Sequence, residues 1–334
     1  MGKRKTRIQG YENLKFLLIV LVVLGHFLEN QYSSEQRSFQ ILFLAIYFFH
    51  MPAFIFLSGL VQNIEKKPDY KRVLAFVILG YVYKIFNSLL VFVGTGKWEF
   101  SLLKENGIPW FMFVMAICPV LAYLVKGIKP AFMLTFAVIL GCFAGFDESL
   151  ADGFLVIGRT VVYFPFYLIG CYLDPEKLMS FCKKKTIKIL SACFLAGYCS
   201  VMILFIDKLY KIRHIVTGKN PYNEWALAHG AVLLRLMCYA GAILVIVALV
   251  SLIPDKEIPV ISKAGGNTLA VYFWHRNILK VVKAAGVGEM IVSAAGGGVW
   301  IAPIVALILT LILSHDYFSI PLKYLLSGIY KKSK

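Results

Sequence analysis

The chain is 334 residues long, 59% hydrophobic and only 16% charged, with a mean hydropathy of +0.74. That composition excludes an ordinary soluble domain and indicates an integral membrane protein. The net charge of +17 does not indicate nucleic acid as a partner, because the Lys and Arg residues fall in short clusters between apolar runs, as in loops facing anionic lipid headgroups.

In chain order, MGKRKTR followed by LLIVLVVLG imitates a secretory signal, but no small-residue cleavage site follows and His26 and Glu29 interrupt the run. An uncleaved first span is expected. Apolar runs of about bilayer-spanning length fall near 13–29, 39–62, 73–94, 109–126, 131–146, 153–173, 187–206, 226–252, 265–284 and 290–314. The expected fold is therefore all-α and polytopic, with about ten transmembrane helices in one bundle. A single membrane-embedded domain covers 1–334, and 315–334 forms a short basic cytoplasmic tail. Alternate connections carry 21 and 7 Lys/Arg residues, so the positive-inside bias places both termini in the cytoplasm. Gly141 and Gly145 form a GxxxG, which points to close packing rather than chemistry. Seven cysteines (118, 142, 171, 182, 193, 199 and 238) lie mostly inside apolar runs without CxxC or ligand-spaced His, so neither disulfides nor a metal is expected.

Ionisable residues inside apolar runs carry the functional signal, since such groups line an interior or a wet cavity. Eleven residues at about 100° each return His26 to within roughly 20° of the face of Lys15, some 16 Å along a helix. His50 lies in the middle of the second run, beside Pro52. Arg159 and Arg235 each sit about one-third of the way in from the external end of a span, where a fork of donors suits phosphate or sugar oxygens and equally suits an internal ion pair. Trp110 opens the fourth run, and His275 follows three aromatic residues in the ninth. Histidine is the side chain whose ordinary pKa suits removal of a hydroxyl proton near neutral pH. No GxSxG marks a serine nucleophile.

Five stretches, LKFLLIVLVVLGHF, FFHMPAFIFLSG, PWFMFV, FPFYLIGCYL and GGNTLAVYFWHRNILK, together resemble the acyltransferase-3 family of membrane acyltransferases, in the branch similar to fucose 4-O-acetylases. The resemblance covers most of the chain in order. Lys15 and His26 match the family's basic residue, ten intervening residues and a His. Where the family often has two arginines three apart, Arg72 is followed here by Ala75, with Lys71 as the neighbouring cation.

What the resemblance implies is O-acyl transfer, usually of acetyl from acetyl-CoA, to a hydroxyl of a sugar or cell-envelope glycan, with no metal, in a bacterial plasma membrane. His26 and His50 are then the catalytic candidates, with His26 as general base, and direct transfer and an acyl-histidine intermediate both stay open. Lys15, Lys71, Arg72 and Trp110 are donor-binding candidates. Arg159, Arg235 and His275 are acceptor-binding candidates. A homo-oligomer or a glycan-synthesis partner is compatible with this reading. The rival class is a transporter or flippase for a glycan or lipid-linked substrate, although no related halves are visible in the sequence. Topology is testable on its own: reporters after Lys334 and near Lys67 should report cytoplasm, and one near Lys219 the exterior. An external C-terminus would break the ten-span expectation.

Overall fold

A computed structural model describes residues 8–105 and 107–330. The basic cluster at 1–7 and the last lysines of the tail, at 331–334, lie outside the described residues. In chain order the helices are α1 (Gln9–Gln31), α2 (Arg37–Tyr47), α3 (His50–Leu60), α4 (Tyr70–Thr95), α5 (Trp110–Leu124), α6 (Pro130–Phe143), α7 (Ile157–Tyr172), α8 (Pro175–Cys182) and α9 (Lys185–Leu204). Three short ones follow, α10 (Ile206–Leu209), α11 (Arg213–Val216) and α12 (Glu224–Ala228). The remainder are α13 (Ala231–Leu252), α14 (Pro259–Gly266), α15 (Thr268–Ala284), α16 (Val287–Ala294), α17 (Ile301–Leu313) and α18 (Asp316–Tyr330). Extended pairing among the described residues is limited to an isolated antiparallel bridge between Lys104 and Phe154.

The expected all-helical membrane fold is what the chain adopts. Among the described residues, five helical segments are long and apolar enough to cross a bilayer: α1, the α2 and α3 pair, α4, α9 and α13. The pair α17 and α18 would make a sixth span, bent by 52°. Other apolar runs fold as shorter helices, such as α5 with 15 residues, α6 with 14 and α7 with 16. Only 11% of the apolar window of α9 is buried, and it leaves Ile189, Leu190 and Leu204 exposed. An apolar face that wide belongs against lipid.

Local chemistry sets the element boundaries. Asp69 caps α4 by accepting the backbone N–H of Lys71 at 3.0 Å, and Gly96, at φ 72°, closes its far end in the left-handed conformation that glycine adopts without a Cβ clash. The second apolar run breaks at Phe48 and Phe49 because Pro52 lacks the N–H that would bond the carbonyl of Phe48.

The helices gather into two compact units. One comprises Met1–His50, Pro175–Lys208 and Leu244–Pro321; the other comprises Met51–Asp174, Leu209–Ile243 and Leu322–Lys334. In the first, α1 is the central helix: 72% of its apolar window is buried, and α2, α14, α15, α16 and α17 pack around it. The N-terminal turn of α1 finds its partners in the loop before α14. Gly10 N–H donates to Asp255 Oδ1, and Asn13 Nδ2 donates to the carbonyls of Pro254 and Lys256. Lys183 closes the end of α13 by donating to the carbonyls of Val250, Ser251 and Ile253, which are groups the helix cannot satisfy itself.

In the second unit, α4 packs on α5, and α7 packs on both α5 and α6. The α3 and α7 backbones touch at two glycines: a Cβ on Gly59 would lie 2.1 Å from the carbonyl oxygen of Tyr167, and one on Gly170 would lie 2.2 Å from that of Phe56. The GxxxG pair serves tyrosines instead, since a Cβ on Gly141 would meet Tyr239 and one on Gly145 would meet the ring of Tyr222, each at 2.2 Å. Gly170→Val forces two backbones apart, for which overpacking typically costs about 1–3 kcal/mol. The variant should melt at a lower temperature in detergent than the wild type, whereas Gly197→Ala, where no neighbour lies within 4 Å, should not.

Candidate active site

His26 stands on the last third of α1, one turn before Glu29, so both side chains share a face of a buried helix. His26 Nδ1 and Glu29 Oε2 are 2.8 Å apart. From α15, Arg276 Nη1 donates to the same oxygen at 3.0 Å. Nη1 also lies 3.1 Å from His26 Nδ1, a spacing that follows from two donors sharing one acceptor. The carboxylate therefore selects the tautomer with the proton on Nδ1, and the lone pair of the imidazole is on Nε2.

Two further histidines complete the group. The ring of His275, also on α15, stacks on His26 with centroids 5.2 Å apart and planes at 28°. Its Nδ1 donates to the carbonyls of Val271 and Tyr272, while its Nε2 is buried without a hydrogen-bond partner. His50 opens α3 at the Pro52 break and donates from Nδ1 to the carbonyl of Ile46 at 2.8 Å. Tyr47 connects His50 to His26. Its ring meets that of His50 edge-on at 4.8 Å, and its hydroxyl lies 3.5 Å from His26 Nδ1.

Lys15, some 16 Å away along α1 by helical rise, is not brought to this cluster. It pairs with Glu12 at 2.8 Å. Lys71 and Arg72 open α4, with the Arg72 guanidinium 6.0 Å from the Phe76 ring centre. Trp110 is not beside them: the start of α5 packs farther along α4, where the Phe113 ring covers Gly80.

Trp110 instead stacks on Tyr163 with centroids 5.3 Å apart, and the Arg159 guanidinium lies 4.8 Å above the Trp110 ring centre. Arg235 is 1% exposed and donates to the carbonyl of Ile215 and the hydroxyl of Tyr222. It acts as a strut beneath the 209–223 segment. Close to Arg159, Glu105 pairs with Lys84 at 3.4 Å, both side chains being 8% exposed. Burial raises the pKa of the Glu105 carboxyl, and Lys84 opposes that rise.

Among the residues the sequence singled out, His26, His50 and His275 gather in the first unit, and Arg159 joins Trp110 in the second. Sequence reading missed Glu29, Arg276 and Tyr47. Glu29 had a local signal, three residues after His26 inside an apolar run. Arg276 follows His275, but its pairing with Glu29 spans 247 residues and leaves no local pattern.

An all-helical membrane protein that seats an imidazole between a carboxylate and a stacked second imidazole is equipped to move a proton inside a bilayer. A family model described as an acyltransferase domain, that of the acyltransferase-3 family, matches residues 8–315. The chain belongs to this family and is a membrane acyltransferase. No curated protein matches the chain, and no solved structure does.

The carboxylate makes a prediction of its own. Glu29→Gln keeps the shape but can no longer balance a charged imidazolium, so acyl transfer should fall by roughly 10²-fold or more, within the range that general-base catalysis contributes. Yield and melting temperature should stay near wild type. Unchanged transfer by the Gln variant would reduce Glu29 to a packing role.

Proposed function

We propose that this acyltransferase moves acetyl from acetyl-CoA to a hydroxyl of a sugar or cell-envelope glycan, with His26 as general base. The observation that carries the reading is the Glu29 carboxylate held by Arg276 and set against His26 Nδ1 at 2.8 Å. In the proposed step, His26 Nε2 takes the proton of the acceptor hydroxyl as its oxygen attacks the thioester carbonyl carbon. The C–S bond breaks, and the proton passes from the imidazolium to the departing thiolate. Glu29 stabilises the imidazolium that exists between these events. Arg276 keeps Glu29 ionised and aimed, while the stacked ring of His275 limits rotation of His26. His50 sets the position of Tyr47.

Cationic positions suit the CoA phosphates, and Lys71 and Arg72 at the start of α4 are the donor-side candidates. Arg159 is the acceptor-side candidate. The positive-inside bias supports a multi-pass plasma-membrane protein with cytoplasmic termini, taking its donor from the cytoplasm. Exclusion of water by the surrounding helices would favour transfer over hydrolysis of the thioester.

The test uses purified full-length protein, labelled acetyl-CoA and a glycan acceptor. His26→Ala should lower transfer by about 10²–10⁴-fold, and His26→Gln should fail equally, because an amide keeps a hydrogen bond but is no base near neutral pH. A Gln variant with near wild-type transfer would end the assignment of His26. Vesicle uptake of glycan without acyl chemistry would favour a transporter.

A further inference from the structure

In the second unit, the connections α4–α5, α6–α7 and the segment before α12 meet around a cavity of about 220 Å³ lined by Glu105, Leu150, Val156, Arg159, Lys219 and Asn220. One water needs only about 10–15 Å³ of such space, so the cavity takes a small molecule rather than a lone ion. We propose that it is a binding site for a sugar-sized, hydroxyl-bearing oxyanion, that is, a sugar carrying a carboxylate or a phosphate.

Three observations converge on that ligand. First, the lining is cationic: Arg159 and Lys219 face the cavity, while the sole lining carboxylate among the described residues, Glu105, is already matched by Lys84. Second, both amide atoms of Asn220 are buried without a hydrogen-bond partner. An unused donor beside an unused acceptor is the pair that a sugar hydroxyl satisfies, and leaving such groups empty is costly. Third, the walls are fixed in advance. Leu155 N–H donates to the Leu103 carbonyl at 2.7 Å and Glu105 N–H to the Gly153 carbonyl at 2.9 Å. Trp110 supports the Arg159 guanidinium from behind at 4.8 Å. Leu155 and Val156 hold φ values of 46° and 51°, a left-handed backbone that a branched residue keeps only where its surroundings impose it.

A preformed pocket with a few convergent polar groups is the usual form of a small-ligand site. Arg159 supplies the planar fork that suits carboxylate or phosphate, and Lys219 a mobile charge at the rim. If the acyl transfer proposed above is right, the ligand is the acceptor and the enzyme selects acidic sugars. That role rests on the earlier reading, whereas binding by the cavity does not.

The experiment is therefore a binding measurement without acyl donor, on the purified full chain in detergent at low salt. The probes are glucuronate, glucose 6-phosphate, glucose and inorganic phosphate. At least one charged hexose should bind about tenfold or more tightly than glucose and than inorganic phosphate, as expected for charge-assisted hydrogen bonds added to hydroxyl contacts. The tighter of the two charged hexoses then identifies the acidic group. Lys219 is exposed, so Lys219→Glu should fold normally and weaken charged-hexose binding about tenfold while leaving glucose unchanged. Asn220→Leu should weaken all three hexoses and spare inorganic phosphate.

Equal binding of charged and neutral hexoses, inorganic phosphate binding as tightly as the charged hexoses, or indifference to Lys219→Glu would overturn the proposal. His26→Gln protein should still bind the charged hexose. Loss of transfer with binding intact concerns the catalytic reading alone, and loss of binding with transfer intact concerns the cavity alone.

Discussion

Glu29 Oε2 is the atom on which the candidate active site depends. It receives His26 from its own helix and Arg276 from α15, pairs of a kind that contribute little in the open. His26 is the best shielded of the three, with 16% of its side chain exposed, while Glu29 and Arg276 keep 29% and 23%, so water competes only in part and the electrostatic interaction is partly strengthened. That partial exposure lets water take over for a lost partner, so the contacts fix geometry more than they add stability. His26, the carboxylate and a counter-cation form one hydrogen-bonded set, and with Glu29 accepting at Nδ1 the lone pair of the His26 imidazole falls on Nε2.

The second unit matches its cations by other means. Lys84 takes a carboxylate, Arg235 takes a backbone carbonyl and a tyrosine hydroxyl, and Arg159 takes the face of Trp110. These solutions differ in what they leave for a ligand. Arg235 is sealed at 1% exposure and serves the fold, whereas Arg159 reaches a cavity. Burial alone would have ranked Arg235 above Arg159 as a site residue. Access to a cavity reverses that order, because a cation contributes to recognition only where a ligand can reach it.

Close backbone approach also shapes the second unit. The reciprocal glycines of α3 and α7 let two carbonyl-bearing backbones meet, a contact that side chains would hold apart. Around the cavity, backbone bonds between residues 103–105 and 153–155 perform the same task for loops. Pro52 does the opposite. By ending the helical bond pattern it frees a turn at which His50 bonds the carbonyl of Ile46 and positions Tyr47.

The sequence by itself determined the membrane class, the helical fold and the family, because hydropathy, run length and short motifs are local properties that packing cannot reverse. It also picked out His26, His50, His275 and Arg159, since a polar residue inside an apolar run is conspicuous without any structure. Only the tertiary structure decided which of these groups meet. Lys15 shares the His26 stripe in sequence but pairs with Glu12 one turn away, whereas Arg276 reaches Glu29 across 247 residues. Trp110, adjacent in sequence to nothing charged, became the platform for Arg159. Periodicity reports which face of one helix a residue occupies, but a charge pair or a cavity is fixed by how separate helices and loops pack, and that geometry is not encoded in any single stretch of chain.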